Sequence, residues 1–193
     1  IHAPANMNPS KLIWSQIVDQ FFISIGDRYQ FYRNPNAPRY VHCDLSESKD
    51  SSGIAMVHME TNTKGESVVV VDFSISIMAT KDRIGLDAIS DFLGELVTVG
   101  HLNIVSVSAD RYQSSFLIQR FKRNGFEAEH LSLDRSMAPY KVVVSWLRTG
   151  RLKAGRNIFL KNNWKSLIET TSLAGRKKID HIKIKDVIRE GSQ

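Results

Sequence analysis

The stretch Arg39-Tyr-Val-His-Cys-Asp44-Leu-Ser-Glu-Ser-Lys-Asp50-Ser-Ser-Gly53-Ile-Ala-Met-Val57 decides how this chain is read. An apolar strand runs from Arg39 to Leu45, 46–52 form a polar turn, and a second strand opens at Gly53. Side chains alternate across a strand, so Tyr40, His42 and Asp44 share one face and Val41, Cys43 and Leu45 the other. A second stretch, Asn103-Ile-Val-Ser-Val-Ser-Ala-Asp110-Arg-Tyr-Gln-Ser114, has the same design with a helix in place of the turn. Each strand delivers a carboxylate at its C-terminal end, where open α/β sheets collect ligands and catalytic groups.

Working outward, the second strand continues to Thr61 and Asn62-Thr-Lys-Gly65 is a turn. Ser67–Met78 is Val/Ile-rich, as a buried strand is. Three strands joined by short turns make an antiparallel meander. The period then changes: Leu86, Ile89, Phe92, Leu93, Leu96 and Val97 predict a helix, with Gly100 at its C-terminal end. A strand at 103–108 follows, then a helix at 113–123 closed by Asn124-Gly125, a strand at 126–133 and a helix at 139–147. Trp164-Lys-Ser-Leu-Ile168 predicts one more helix, and 180–188 fits strand or helix. The order βββ-α-β-α-β-α matches an α/β, RNase H-like domain over 39–193; spacing alone does not choose it over other α/β sandwiches, and the two carboxylates tip the balance. The domain's mixed sheet has five or more strands, an antiparallel meander extended by parallel strands, flanked by helices. Residues 1–38 read as a lead-in, with an amphipathic helix from Leu12, Ile13, Ile17, Phe21 and Phe22.

The 193 residues suffice for one core, and 42% hydrophobic with 24% charged content is ordinary for a globular domain. The apolar runs are too short to span a bilayer, so no membrane partner is expected. Ile1-His-Ala-Pro-Ala-Asn6 has no signal-peptide pattern, and the missing initiator Met predicts a piece of a longer protein. The lone Cys43 excludes an intrachain disulfide and a cysteine zinc site, which fits a reducing cytoplasm. Charge is uneven within the net +6. Residues 141–193 hold 13 Lys/Arg against 4 Asp/Glu, whereas 1–140 hold 13 against 16. A basic part beside an acidic one suits a polyanionic partner, although solvated Lys and Arg on one face would give the same count.

Asp44 and Asp110 are the expected centre of chemistry. Adjacent strands lie ~4.8 Å apart, so two such carboxylates reach the same ions. Phosphodiester hydrolysis by two metals needs ions roughly 4 Å apart, and hard oxygen donors select magnesium or manganese. Plainer roles exist for each: Asp110 with Gln113 fits a helix capping box, and Asp44 fits an Asx turn. Asp50 reads as a turn residue or an outer-sphere group. Asp134 reads as a helix cap or an auxiliary group. Asp72 lies mid-strand in an apolar run, where a buried polar partner explains it as well as a catalytic role does.

These motifs resemble, in order, the nuclease domain of tailed-phage terminase large subunits. The resemblance rests on Tyr40-Val-His-Cys-Asp44-Leu-Ser, Val-Ser-x-Asp110-Arg-Tyr-Gln-Ser, Asp134-x4-Pro-Tyr-x3-Val-Ser-Trp-Leu-Arg-x-Gly-Arg-Leu and Lys-Lys-Ile-Asp180-His181. It implies an endonuclease that cuts concatemeric double-stranded viral DNA during genome packaging, with two Mg2+ or Mn2+ ions. It also implies an N-terminal ATPase motor, a portal ring and a small terminase subunit as partners. The setting is the cytoplasm of an infected bacterium and, transiently, the procapsid portal. The chain has no Gly-x4-Gly-Lys-Ser/Thr phosphate loop, so it is not the motor itself. By the family pattern Asp44 and Asp110 are the first two metal ligands. The third belongs to a late Lys-Asp-x2-Asp-Ala type motif, of which Lys185-Asp186 is half, with Asp180 as the alternative. His181 is an auxiliary candidate. Arg148, Arg151, Lys153, Arg156, Arg176, Lys177 and Lys178 become the DNA contacts, and Trp146 and Trp164 are assigned to the core. Two rivals remain: another RNase H-like enzyme, such as a Holliday-junction resolvase or transposase core, and a non-catalytic module docking on DNA or the portal.

Overall fold

The computed structural model describes residues 34–45, 52–77, 86–110, 115–132, 137–155, 158–171 and 177–181. The lead-in helix, Asp50, Asp134, Arg156, Arg176 and Asp186 lie outside them. The elements in order are β1 (Arg39–Asp44), β2 (Ser52–Thr61), β3 (Ser67–Ile77), α1 (Leu86–Thr98), β4 (Ile104–Ala109) and α2 (Ser115–Arg123). They continue with β5 (Glu127–His130), α3 (Ala138–Arg148), β6 (Leu152–Ala154), α4 (Ile158–Lys165), β7 (Leu167–Thr171) and β8 (Lys177–His181).

Six strands form one sheet in the order β5-β4-β1-β2-β3-β6, and β7 and β8 form a separate antiparallel pair. β1–β2 and β2–β3 are antiparallel, as the meander predicts. β4 lies parallel to β1, β5 parallel to β4 and β6 parallel to β3. β1 and β4 therefore sit side by side in mid-sheet and run the same way, so their C-terminal ends coincide.

Alternation sorts the two faces. On one, Val41, Cys43, Ile54, Met56, Phe73, Val107, Ala109 and Ala128 pack against Ile89 and Leu93 of α1 and Leu117, Ile118 and Phe121 of α2. Leu93, Leu117 and Phe121 are fully buried, and each such side chain stabilises the fold by about 1.5–3 kcal/mol. On the other face Val69, Val71, Leu152 and Ala154 pack under Leu147, with Val143, Val144, Trp146, Leu160, Trp164 and Leu167 around them. Both tryptophans thus belong to the core.

The helix ends follow from backbone accounting. α2 and α3 close with paired bonds, Phe126 N–H to Phe121 O and Gly125 N–H to Lys122 O, then Arg151 N–H to Trp146 O and Gly150 N–H to Leu147 O. Gly125 (φ 86) and Gly150 (φ 66) take the left-handed position that this motif requires. α1 ends differently from expectation. The positive φ falls on His101, at 53°. Gly100 is there because a Cβ would meet Leu96 O at 2.6 Å.

Three element assignments change. The strand expected over 126–133 is the shorter Glu127–His130. The helix expected at Trp164–Ile168 stops at Lys165, and Leu167–Thr171 is strand β7, which suits its β-branched residues. β6, three residues long, follows the α3 turn and was not expected. Of 180–188, read as strand or helix, the described residues 180 and 181 close strand β8, the partner of β7.

Candidate active site

β1 and β4 are in register through His42–Ser108 and Cys43–Ala109. The next residues are Asp44 and Asp110, and Asp110 N–H reaches Cys43 O at 3.4 Å. The two carboxylates are therefore the neighbouring C-terminal groups of the two central parallel strands. Asp44 is exposed and Asp110 half-buried, so both are open to solvent ions. Alternation puts Asp110 on the face of Ser108, which is the face of His42 and Asp44.

His42, on the same face, feels both carboxylates. Burial lowers its pKa below the ordinary imidazole value, and the negative charges of Asp44 and Asp110 oppose that shift. Its Nδ1 lies 2.9 Å from Ser108 Oγ, which donates to Val41 O at 3.2 Å. His42 was not among the candidates read from the sequence, although strand alternation placed it on the carboxylate face. The same strand's opposite face is dry. Burial pushes the Cys43 thiol up to about 12.

The donor chemistry fits a hard divalent cation, with two carboxylate oxygen sources at one open sheet edge. Among the described residues no group of three or more His, Cys, Asp or Glu is placed to hold a metal ion. Asp180 lies on β8 opposite Ile168, and His181 opposite Leu167.

The basic candidates separate into two places. Arg148 is exposed in the last turn of α3, Arg151 follows the Schellman turn, and Lys153 is half-buried on β6. Arg151 Nε donates to Thr149 Oγ1 at 3.2 Å, which holds the guanidinium beside the helix end. Lys141, Val144, Ser145, Arg148 and Thr149 line an open groove of about 420 Å³. Lys141 and Ser145 were missed, although their spacing from Arg148 and Thr149 is helical. Lys177 and Lys178 stand on β8, and Lys177 Nζ pairs with Glu169 Oε1 at 2.6 Å.

Of the two readings of Asp72, the structure bears out the buried partner. Its Oδ2 lies 3.2 Å from Arg39 Nε and 3.0 Å from His58 Nδ1, all three buried. The pairing of Met56 with Phe73 and Val57 with Val71 leaves Asp72 as the extra residue of a β-bulge. Asp72 is thus a core group, not part of the carboxylate pair. Among the described residues no helix is long and apolar enough to cross a membrane.

Comparison with solved structures decides the fold family. The large terminase nuclease of thermophilic phage G20c superposes with a TM-score of 0.60 at 9% identity, over 77% of this chain and 74% of that one. The Thermus phage P74-26 large terminase nuclease domain gives 0.58 at 12%, over 88% and 85%. This chain has the large-terminase nuclease fold. The HK97 bacteriophage large terminase matches with a TM-score of 0.65 at 15% identity, over 89% of this chain but 39% of its own length. The phage G20c nuclease is also known with bound magnesium and with bound cobalt. No protein-family model and no curated protein matches the sequence.

Proposed function

We propose that this chain is the nuclease domain of a phage large terminase and cuts concatemeric double-stranded DNA during genome packaging. One observation carries the reading: Asp44 and Asp110 stand side by side at the C-terminal ends of adjacent parallel strands. The magnesium- and cobalt-bound terminase nuclease of the same fold supports divalent ions in that place.

Asp44 and Asp110 would hold two Mg2+ or Mn2+ ions, with Asp186, or else Asp180, as the third carboxylate. When bound, the ions lower the pKa of the attacking water and stabilise the leaving oxygen. Asp44, at the exposed end, faces the incoming phosphate. Asp110, half-buried and tied through its backbone to β1, fixes the spacing. His181, Asp50 and Asp134 are auxiliary groups. Arg148, Arg151, Lys153, Arg156, Arg176 and Lys178 hold the duplex through its phosphates, which positions DNA without reading its sequence. Lys177 is engaged by Glu169 and contributes least.

Residues 1–38 form the lead-in from an ATPase motor, and 39–193 the nuclease. The motor, a portal ring and a small terminase subunit are its partners in the host cytoplasm and at the procapsid.

The test is cleavage of linear duplex and of a four-way junction with Mn2+, Mg2+ or EDTA. Metal-dependent cutting of duplex, with no preference for the junction, is expected. Cutting confined to the junction would transfer the chain to the resolvases.

A further inference from the structure

His42 stands on the carboxylate face with one ring nitrogen accounted for. Ser108 Oγ donates its proton to Val41 O at 3.2 Å. Its 2.9 Å contact with His42 Nδ1 ties that ring nitrogen to β4 whichever of the two atoms carries the hydrogen. Nε2 is the ring's other polar atom. Among the described residues Nε2 takes no hydrogen bond. The ring lies within the electrostatic reach of both Asp44 and Asp110.

We propose that His42 is a positioning residue whose Nε2 hydrogen-bonds to the hydration shell of the cation held by Asp44 and Asp110. The proposal rests on the metal-nuclease reading. Magnesium sheds water reluctantly and takes few protein donors. Ser108 fixes the ring's rotation from behind, as outer partners of metal sites do. The plainer alternative is that His42 merely ties β1 to β4.

Side-chain isosteres separate the two. In His42→Asn the amide end overlays Nδ1, so the bond to Ser108 survives and the Nε2 group is lost. In His42→Gln the amide end overlays Nε2 and the bond to Ser108 is lost. Calorimetric titration with Mn2+ in the absence of DNA is the readout, with the Mn2+ midpoint for plasmid nicking and a melting curve beside it. His42→Asn is expected to weaken Mn2+ binding about tenfold with unchanged melting. The Gln variant should keep most of the affinity. Ser108→Ala, which releases the ring without removing Nε2, should weaken binding by less than His42→Asn and serves if the His42 variants melt.

Wild-type Mn2+ affinity in His42→Asn or in Ser108→Ala would overturn the proposal and leave the nuclease reading intact. If Asp44→Asn leaves wild-type Mn2+ binding unchanged, the metal site itself is wrongly placed and both fall.

Discussion

Arg39 places a full positive charge where no water reaches it, at 0% exposure. Its Nη1 donates to Pro35 O at 3.1 Å and Ala37 O at 3.0 Å, and Nε faces Asp72. His58 meets the same Asp72 oxygen and also Glu60 Oε1 at 3.4 Å. Removing one member of such a cluster strands a buried charge, so Arg39→Ala should cost about 3–5 kcal/mol in urea denaturation. A cost below about 1 kcal/mol, the range of an exposed pair, would contradict it. Burial pushes the Asp72 carboxyl above its ordinary value of 3.8, against the pull of His58 and Arg39. The native state then keeps its proton to higher pH than the unfolded chain. Stability from this group is full below 3.8 and declines as pH rises through the raised native value. Stability measured against pH should show that decline in the wild type and lose it in Asp72→Asn. Cys43, buried and raised to about 12, should stay silent to a thiol reagent at pH 8 and react once urea unfolds the chain. At this scale the apolar neighbours of Asp72 fitted a buried partner no better than a catalytic role. They did not identify it, because the pairing depends on a one-residue bulge that no local pattern marks. His42 was passed over because a lone histidine two residues before an acid carries no spacing signal.

The turn from α3 into β6 gathers the basic residues. Gly150 lets the chain turn after Arg148, and Arg151 and Lys153 follow on the returning segment, with Arg151 Nε on Thr149 Oγ1. The groove along Lys141, Ser145, Arg148 and Thr149 continues that positive surface. If it holds DNA phosphates, Arg148→Ala and Arg151→Ala should each weaken duplex binding at all sequences. Each should also make the slope of log affinity against log salt shallower by about one. Unchanged slopes in both would move the DNA elsewhere. The long periodic elements β1 to β4 were readable from pattern alone. β6 was not, since three residues hold too little of any period. β7 was masked by Trp164, whose apolar spacing continues that of a helix until Thr170 and Thr171. Gly100 was read correctly as a helix end and for the wrong reason, because close approach to Leu96 O, not backbone handedness, excludes a side chain there.

At the scale of the whole molecule, the order β5-β4-β1-β2-β3-β6 turns two acids 66 residues apart in sequence into neighbours. That was legible, since a meander followed by strand–helix units leaves β1 free to pair with the first crossover strand. The third ligand was not legible: its motif is half present at Lys185-Asp186, and Asp180 competes with it. The shared fold with terminase nucleases at 9–15% identity shows how little sequence this arrangement fixes beyond its apolar pattern. The most direct test is nicking of supercoiled plasmid in Mn2+, Mg2+ or EDTA by the wild type, Asp44→Asn, Asp110→Asn and the double variant. Metal-dependent nicking and linearisation are expected in the wild type. Both single variants should fall to the EDTA level and the double variant no further, since groups holding one pair of ions fail together. Metal-dependent nicking that survives in both single variants would place the chemistry somewhere other than the ends of β1 and β4.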